Sequence, residues 1–292
     1  MKFDIIPKIK YLILISREKI NEIRTPKKIK IVKGKYGISY LLVPNSALDF
    51  HIYKNGIYGD WLAQLDNSLF PSDGNVIEIG ANVGLITLNL AKRTFPQGMI
   101  YAYEPDWENF NQLNLNLALN NLKNVHTYPI ALQDDDKIEQ INFYIRRAID
   151  GDKKENRGLS SVIDIPTHQK ESYKVFASTI DKEVERLQIK SVNLIKIDVE
   201  GAEHQVLLGG KATIEKLLPS IHYEFSVTLD GLLKKENARK SYDFLANLGY
   251  VQFAIMAEKN LKKIETIESI KQDINIIAFH ESNLPKIYKN EN

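Results

Sequence analysis

The stretch Val76-Ile77-Glu78-Ile79-Gly80-Ala81-Asn82-Val83-Gly84 decides the fold. A β-branched apolar run carries an acid, breaks into a glycine turn and passes into a helical pattern of Leu85, Leu88 and Ala91. That succession is the first strand–turn–helix unit of a nucleotide-type α/β fold, with its ligand beyond the carboxyl end of the strand. Further on, Ile100-Tyr101-Ala102-Tyr103-Glu104-Pro105 reads as a second strand ending in an acid. A carboxylate there accepts both hydroxyls of a ribose. The two pieces together predict an adenosine-like ligand.

The glycine spacing selects among such ligands. Dinucleotide folds use Gly-x-Gly-x-x-Gly, whose middle glycine lets a pyrophosphate lie against bare backbone. Here Asn82 holds the middle position, and the next glycine is Gly84. A side chain at Asn82 crowds a pyrophosphate. S-adenosylmethionine has no phosphate, and it brings a ribose for Glu104 and cationic groups for nearby carboxylates. Glu78 is placed to face the methionine ammonium, directly or through water. S-adenosylmethionine is therefore the expected cofactor. Its candidate contacts are Glu78, Gly80, Ala81, Asn82, Gly84, Glu104 and Pro105, with Ala131 and Asp198 further along.

Composition sets the outer bounds. The 292 residues suffice for one large α/β domain with a leader, or for two small domains. Hydrophobic content of 43% and charged content of 26% are ordinary for a soluble globular protein. The absence of Cys excludes disulfides, cysteine-ligated metal clusters and a thiol nucleophile. No apolar run approaches a membrane span, and neither a signal-peptide core nor a cleavage site is present. A cytoplasmic location is expected. The charge is uneven: residues 1–36 hold eleven Lys/Arg against three Asp/Glu, while the whole chain is only +2. A basic leader can touch anionic lipid, nucleic acid or an acidic partner, although a plain solvated surface is the favoured reading.

Along the chain, residues 1–25 have helical spacing, and Lys28 to Pro44 reads as a hairpin. A turn-rich stretch from Asn55 approaches a helix ending near Leu69. From Asn75 the alternation is regular: strand 75–79, helix 84–93, strand 99–103, helix 106–121 and strand 125–130. The helix 106–121 is expected to be broadly apolar and packed on the sheet. Asp134 to Gly158 looks polar and irregular around a strand-like Ile141 to Ile145, and Ser160 to Tyr173 reads as loop. Phe176 to Leu187 is expected to hold a helix capped at Ser178 or Thr179. Val192 to Ile197 is a buried strand, helix 203–217 is broken at Gly209-Gly210, and Ser220 to Phe225 is the next strand. Helix 236–248 ends at Gly249, and Gly249–Met256 with Asn275–His280 closes the chain as an antiparallel pair.

A second acidic cluster, Asp198-Val199-Glu200-Gly201-Ala202-Glu203-His204, follows the fourth strand. That strand end lines the same crevice as Gly80. Acids there also favour a helix N-terminus, so capping competes with ligand contact for Asp198 and Glu200. Asp198, His204 and Glu224 are the candidate catalytic residues, and Glu200 and Glu203 the candidate acceptor contacts. No paired histidine spacing points to a metal, and none is expected.

These residues resemble the FkbM family of S-adenosylmethionine-dependent methyltransferases. The resemblance is carried by Glu78-Ile79-Gly80-Ala81-Asn82-Val83-Gly84, Tyr103-Glu104-Pro105, Leu113-Asn114-Leu115-Asn116 with Asn120, and Ile195-Lys196-Ile197-Asp198-Val199-Glu200-Gly201-Ala202-Glu203. Gly210 and Glu224 extend it. Glu78 replaces the family's usual Asp, and Tyr58-Gly59-Asp60 departs from its Tyr-Glu. The resemblance covers about 55–280 and implies a Rossmann-like class I methyltransferase: a seven-stranded, mostly parallel sheet with a terminal antiparallel hairpin. Residues 55–292 would form that domain and 1–54 a basic extension. The implied activity is O-methylation of a sugar, glycan or natural-product hydroxyl. The rivals are a ribose 2′-hydroxyl or other nucleic-acid methyltransferase, disfavoured by the acidic core, and a non-catalytic adenosine-binding protein.

Overall fold

The computed structural model describes residues 28–43, 46–58, 69–145, 148–149, 155–164, 171–226, 232–256 and 260–285. The helix expected over 1–25 and the one expected to end near Leu69 fall on residues outside these ranges.

The hairpin is formed by β1 (Lys30–Lys33) and β2 (Ser39–Leu42), paired antiparallel. Helix α1 (Ala47–Asn55) follows, a helix the sequence reading did not anticipate. Ser46 caps it by accepting the Asp49 amide, and Gly56 ends it. Then come β3 (Val76–Ile79) and α2 (Leu85–Asn89), which runs into a π-helical turn over Leu90–Thr94. Strand β4 (Ile100–Tyr103) leads to α3 (Trp107–Leu119), capped by Asp106 through the Asn109 amide.

The strand expected over 125–130 is two strands. Strand β5 (Val125–Tyr128) and β6 (Ile130–Leu132) flank Pro129, which has no N–H to give a ladder, and they join different sheets. Strand β7 (Gln140–Ile145), the short pair β8 (Ala148–Ile149) and β9 (Glu155–Asn156), and β10 (Glu171–Ser178) follow. Helix α4 (Ile180–Arg186) is capped by Thr179. The rest is β11 (Leu194–Ile197), α5 (Glu203–Leu208), α6 (Lys211–Leu217), β12 (Ser220–Phe225), α7 (Leu232–Asn247), β13 (Tyr250–Ile255), β14 (Leu261–Lys263) and β15 (Ile274–His280).

The main sheet has eight strands, in the order β14-β13-β15-β12-β11-β3-β4-β5. From β12 to β5 every pairing is parallel, and β15 runs antiparallel to both its neighbours. This is the expected sheet with one extra edge strand, β14. Strands β3 and β11 are buried at every position, as central strands covered on both faces must be. One face packs Val76, Leu88, Leu113 and Leu194 in a core; the other packs Ile77, Ile79, Ile195 and Ile221.

Three features differ from the sequence reading. First, the strand-like Ile141 to Ile145 is borne out as β7, but it belongs to a second sheet in the order β6-β10-β7 whose middle strand, β10, begins inside the stretch read as loop. Second, α3 buries only one face, through Leu113 and Leu117, while Leu115 is 53% and Trp107 61% exposed. Third, the hairpin and α1 contribute Ile38, Tyr40, Leu42 and Ile52 to the same core as the central sheet. Two motif asparagines on α3 make that attachment. Asn116 accepts the Leu41 amide (2.7 Å) and donates to the Val83 carbonyl (2.8 Å). Asn120 accepts the Ser39 amide (2.8 Å) and donates back to the Ser39 carbonyl (2.7 Å). No helix among the described residues is long and apolar enough to cross a membrane.

Candidate active site

Strands β3, β4 and β11 all end at one cleft of about 1030 Å³, counted with its open mouth. The glycine turn after β3 forms its floor. Gly80 has φ +76°, and a Cβ there would stand 1.8 Å from the Asp198 carbonyl oxygen. Only glycine lets the two strand ends approach this closely. Gly84, at φ +85°, starts α2 where a Cβ would meet Leu113 Cδ1 at 2.5 Å.

Asn82 adopts φ +52°, a conformation that Asn tolerates better than most residues. Its side chain accepts the Val83 amide at 2.7 Å, and its own amide donates to Glu104 Oε2 at 2.7 Å. Glu104 Oε1 accepts the Asp106 amide at 2.9 Å. Each carboxylate oxygen carries two lone pairs, so Glu104 keeps acceptor capacity for a ligand. Burial pushes its carboxyl up to about 7, against the pull of the Asp106 and Asn82 amides.

Glu78 is fully buried one strand over, and neither oxygen has a donor in good hydrogen-bond geometry among the described residues. Burial pushes it to about 7 as well, opposed by the Lys196 ammonium and the nearby Thr87 hydroxyl. Lys196, itself 1% exposed, donates to the Gly80 carbonyl at 3.0 Å. Its Nζ also lies 3.4 Å from Asp198 Oδ2 and 3.9 Å from Glu78 Oε1.

Beyond β11 the loop turns through Glu200, at φ +58°, and Gly201, at φ +106°. The strained Glu200 conformation is held from behind by Glu203. One Glu203 oxygen accepts both the Val199 amide (3.2 Å) and the Gly201 amide (3.1 Å). In front, Ser161 Oγ donates to the Val199 carbonyl at 3.1 Å. Carboxylate oxygens of Asp198, Glu200 and Glu224 lie within 4.8 Å of one another. A cation or a polyhydroxyl group could bridge such a set. The Tyr58 hydroxyl is pushed up to about 12, first by burial and then by the charges of these same three acids.

The structure thus brings Gly80, Ala81, Asn82, Glu104, Pro105, Ala131, Asp198 and Glu200 to one cleft. Glu78 and Gly84 shape its floor from beneath, and Glu224 joins at the end of β12. Two residues expected to act on the acceptor lie elsewhere. Glu203 is 3% exposed and turned inward as the loop clamp, so it does not face an acceptor. His204 sits one helical step round on α5, edge-on to Phe244 of α7 at 6.2 Å, and does not line the cleft. Its imidazole is held below the usual range by burial and by Lys240. Leu48, Tyr58, Phe143 and Ser161, which the sequence reading did not assign, roof the cleft. Tyr58 stood at the start of a motif, but the other three had no local signal.

A mostly parallel sheet of this order, with a glycine turn after one central strand and a carboxylate after the next, defines a class I methyltransferase fold. Residues 78–252 match the methyltransferase FkbM domain, and the chain belongs to that family. It is 32% identical over 155 residues to Methyltransferase 1 of Beauveria bassiana, a match covering 49% of this chain and 61% of that protein. It is 28% identical over 162 residues to the 2-O-methyltransferase NoeI of Sinorhizobium fredii, covering 52% of this chain and 64% of that one. In both cases the match spans less than two thirds of the relative's length. Among solved structures, methyltransferase FkbM from Methylobacillus flagellatus superposes with a TM-score of 0.45 at 14% identity, over 72% of this chain and 44% of that one.

Proposed function

We propose that this chain transfers the methyl group of S-adenosylmethionine to a hydroxyl of a sugar, glycan or natural-product acceptor. The observation that carries the reading is the position of Glu104. It is buried beside the glycine turn, tied to two backbone amides, and still able to accept from ribose hydroxyls. Glu78 would serve the same cofactor from beneath the cleft floor, where its buried carboxylate would face the methionine ammonium directly or through water. Asn82 and the left-handed turn leave no bare-backbone seat for a pyrophosphate. When bound, S-adenosylmethionine supplies a methyl group already activated by its sulfonium.

What remains for the protein is alignment and proton removal. Asp198 and Glu224 are the groups that would take the acceptor's hydroxyl proton, with Glu200 beside them to orient the acceptor. A cleft mouth with three carboxylates repels polyphosphate, which supports a sugar-like or small-molecule acceptor over nucleic acid. The relative NoeI, called a 2-O-methyltransferase, agrees with a hydroxyl acceptor.

Calorimetry tests the cofactor, and methyl transfer from labelled S-adenosylmethionine to a panel of glycans and hydroxylated small molecules tests the reaction. Binding of S-adenosylmethionine and S-adenosylhomocysteine but not NAD is expected. Tight NAD binding would overturn the reading of the turn, and cofactor binding with no labelled product across the panel would favour a non-catalytic adenosine-binding protein.

A further inference from the structure

Lys196 is the one residue of β11 whose presence packing does not explain. Directly beside it across the ladder stand Glu78 and His222, both buried and polar, while Leu194 two positions back on its own strand is apolar. A buried ammonium costs several kcal/mol unless well paired. Here it is paired on three sides, by the Gly80 carbonyl at 3.0 Å, Asp198 Oδ2 at 3.4 Å and Glu78 Oε1 at 3.9 Å. The Gly80 contact is a hydrogen bond, and the two acids lie at ion-pair distance.

The ladder register makes this a row. Glu78 pairs laterally with Lys196, and Lys196 with His222, across three adjacent strands. His222 is fully buried, with Nε2 3.2 Å from Asn275 Oδ1. Burial and the neighbouring Lys196 push its imidazole down to about 3, so it stays neutral beside the ammonium. Lys196 is thus the cation of the row, with its charge shared towards Glu78 and Asp198. Because the Gly80 turn abuts the Asp198 backbone, any shift of the Gly80 carbonyl moves both strand ends.

We propose that Lys196 is a positioning residue for the cofactor's amino-acid end, bracing the Gly80 carbonyl, Glu78 and Asp198 so that Glu78 meets the methionine ammonium in a fixed orientation. The inference rests on the S-adenosylmethionine reading. It assigns Lys196 no contact with the reacting atoms.

The test compares wild type, Lys196→Met and Lys196→Gln by calorimetry with two probes, folding being checked by circular dichroism. S-adenosylhomocysteine carries the amino-acid end, and 5′-methylthioadenosine keeps the adenosine but lacks that end. Both variants are expected to weaken S-adenosylhomocysteine by about tenfold or more, as loss of a buried charge partner does. Methylthioadenosine should change by no more than about twofold, the size of an indirect effect. Equal losses for both probes, or no loss for S-adenosylhomocysteine in a folded variant, overturn the proposal. If Lys196→Met does not fold, the neutral polar Lys196→Gln is combined with Glu78→Gln. The double variant should lose less than the sum of the two single losses, and fully additive losses overturn the proposal. A wild-type protein that binds neither probe overturns the cofactor reading itself, whereas one that binds both while the variants bind equally well overturns only the role of Lys196.

Discussion

The backbone amide of Asn82 donates to Glu104 Oε2 at 2.7 Å, so the glycine turn after one strand is fastened to the acid that ends the next. The other Glu104 oxygen holds the Asp106 amide at the start of α3. One side chain therefore sets two turns and still presents acceptor sites to the cleft. Glu104→Ala should cost cofactor affinity roughly 2–4 kcal/mol, the worth of charge-assisted hydrogen bonds in a partly dry site. Titration calorimetry with S-adenosylhomocysteine measures it, and an unchanged dissociation constant would show that Glu104 does not reach the ribose.

Cofactor affinity should depend on pH. Glu78 and Glu104 are each raised to about 7 in the free protein, and both are proposed to serve the cofactor as carboxylates. As pH falls through that value each takes up a proton that binding must expel, so affinity weakens on the acid side and is full on the alkaline side. The unliganded protein behaves oppositely. Between the ordinary carboxyl value of 4.5 and about 7 the folded state holds protons that the unfolded chain has lost, so these acids make the fold less stable as pH rises across that window. Calorimetry below pH 7 in two buffers of different ionisation enthalpy should detect proton release on binding. Release that is absent there would mean that neither acid ionises for the ligand.

Asp198 and His204 should separate cleanly. Asp198→Asn is expected to keep cofactor binding and lower turnover by about a hundredfold or more, as loss of a general base does. His204→Gln should leave both within about twofold, because its ring packs on Phe244 away from the cleft. Chelation should not change the wild-type rate, since Lys196 already stands 3.4 Å from Asp198. A rate abolished by chelator and restored by magnesium would make Asp198, Glu200 and Glu224 a cation site.

Glu203→Ala should lower stability by about 2–4 kcal/mol, because two loop amides lose their shared acceptor. Urea denaturation of the unliganded protein reads this directly. A midpoint equal to wild type would mean that the loop 198–202 finds other partners.

Much of the sheet could be read from sequence, because its central strands are short β-branched runs bounded by turns: Val76–Ile79, Leu194–Ile197 and Ser220–Phe225 have no other reading. The side sheet was legible chiefly at β7. Glu171, Ser172 and Lys174 give β10 an unpatterned, polar start, and its partner β7 lies across intervening chain. Helix α1 is hidden by Asp49, His51 and Lys54 scattered among its apolar residues. The acids of the site were legible because they follow strands. Their directions were not: Glu203 and His204 are adjacent in sequence, yet a helix turns them towards a buried loop and towards α7. Lys196 was read as part of a motif but its burial was not, because lysines are rarely buried and its partner Gly80 is 116 positions away.

The roof of the cleft is drawn from α1, from Tyr58 and from the excursion between β6 and α4, whereas its floor belongs to the central sheet. Floor residues answer to one another through the ladder and through Lys196, so few can be exchanged singly. Roof residues such as Leu48, Phe143 and Val162 line the cleft from outside that ladder, Phe143 and Val162 packing with Ala131 and Val175 in a small cluster of their own. Altering the roof would thus retune which molecules are admitted while the methyl-donor seat keeps its shape. An effort to redirect this protein towards a new acceptor belongs in those segments first.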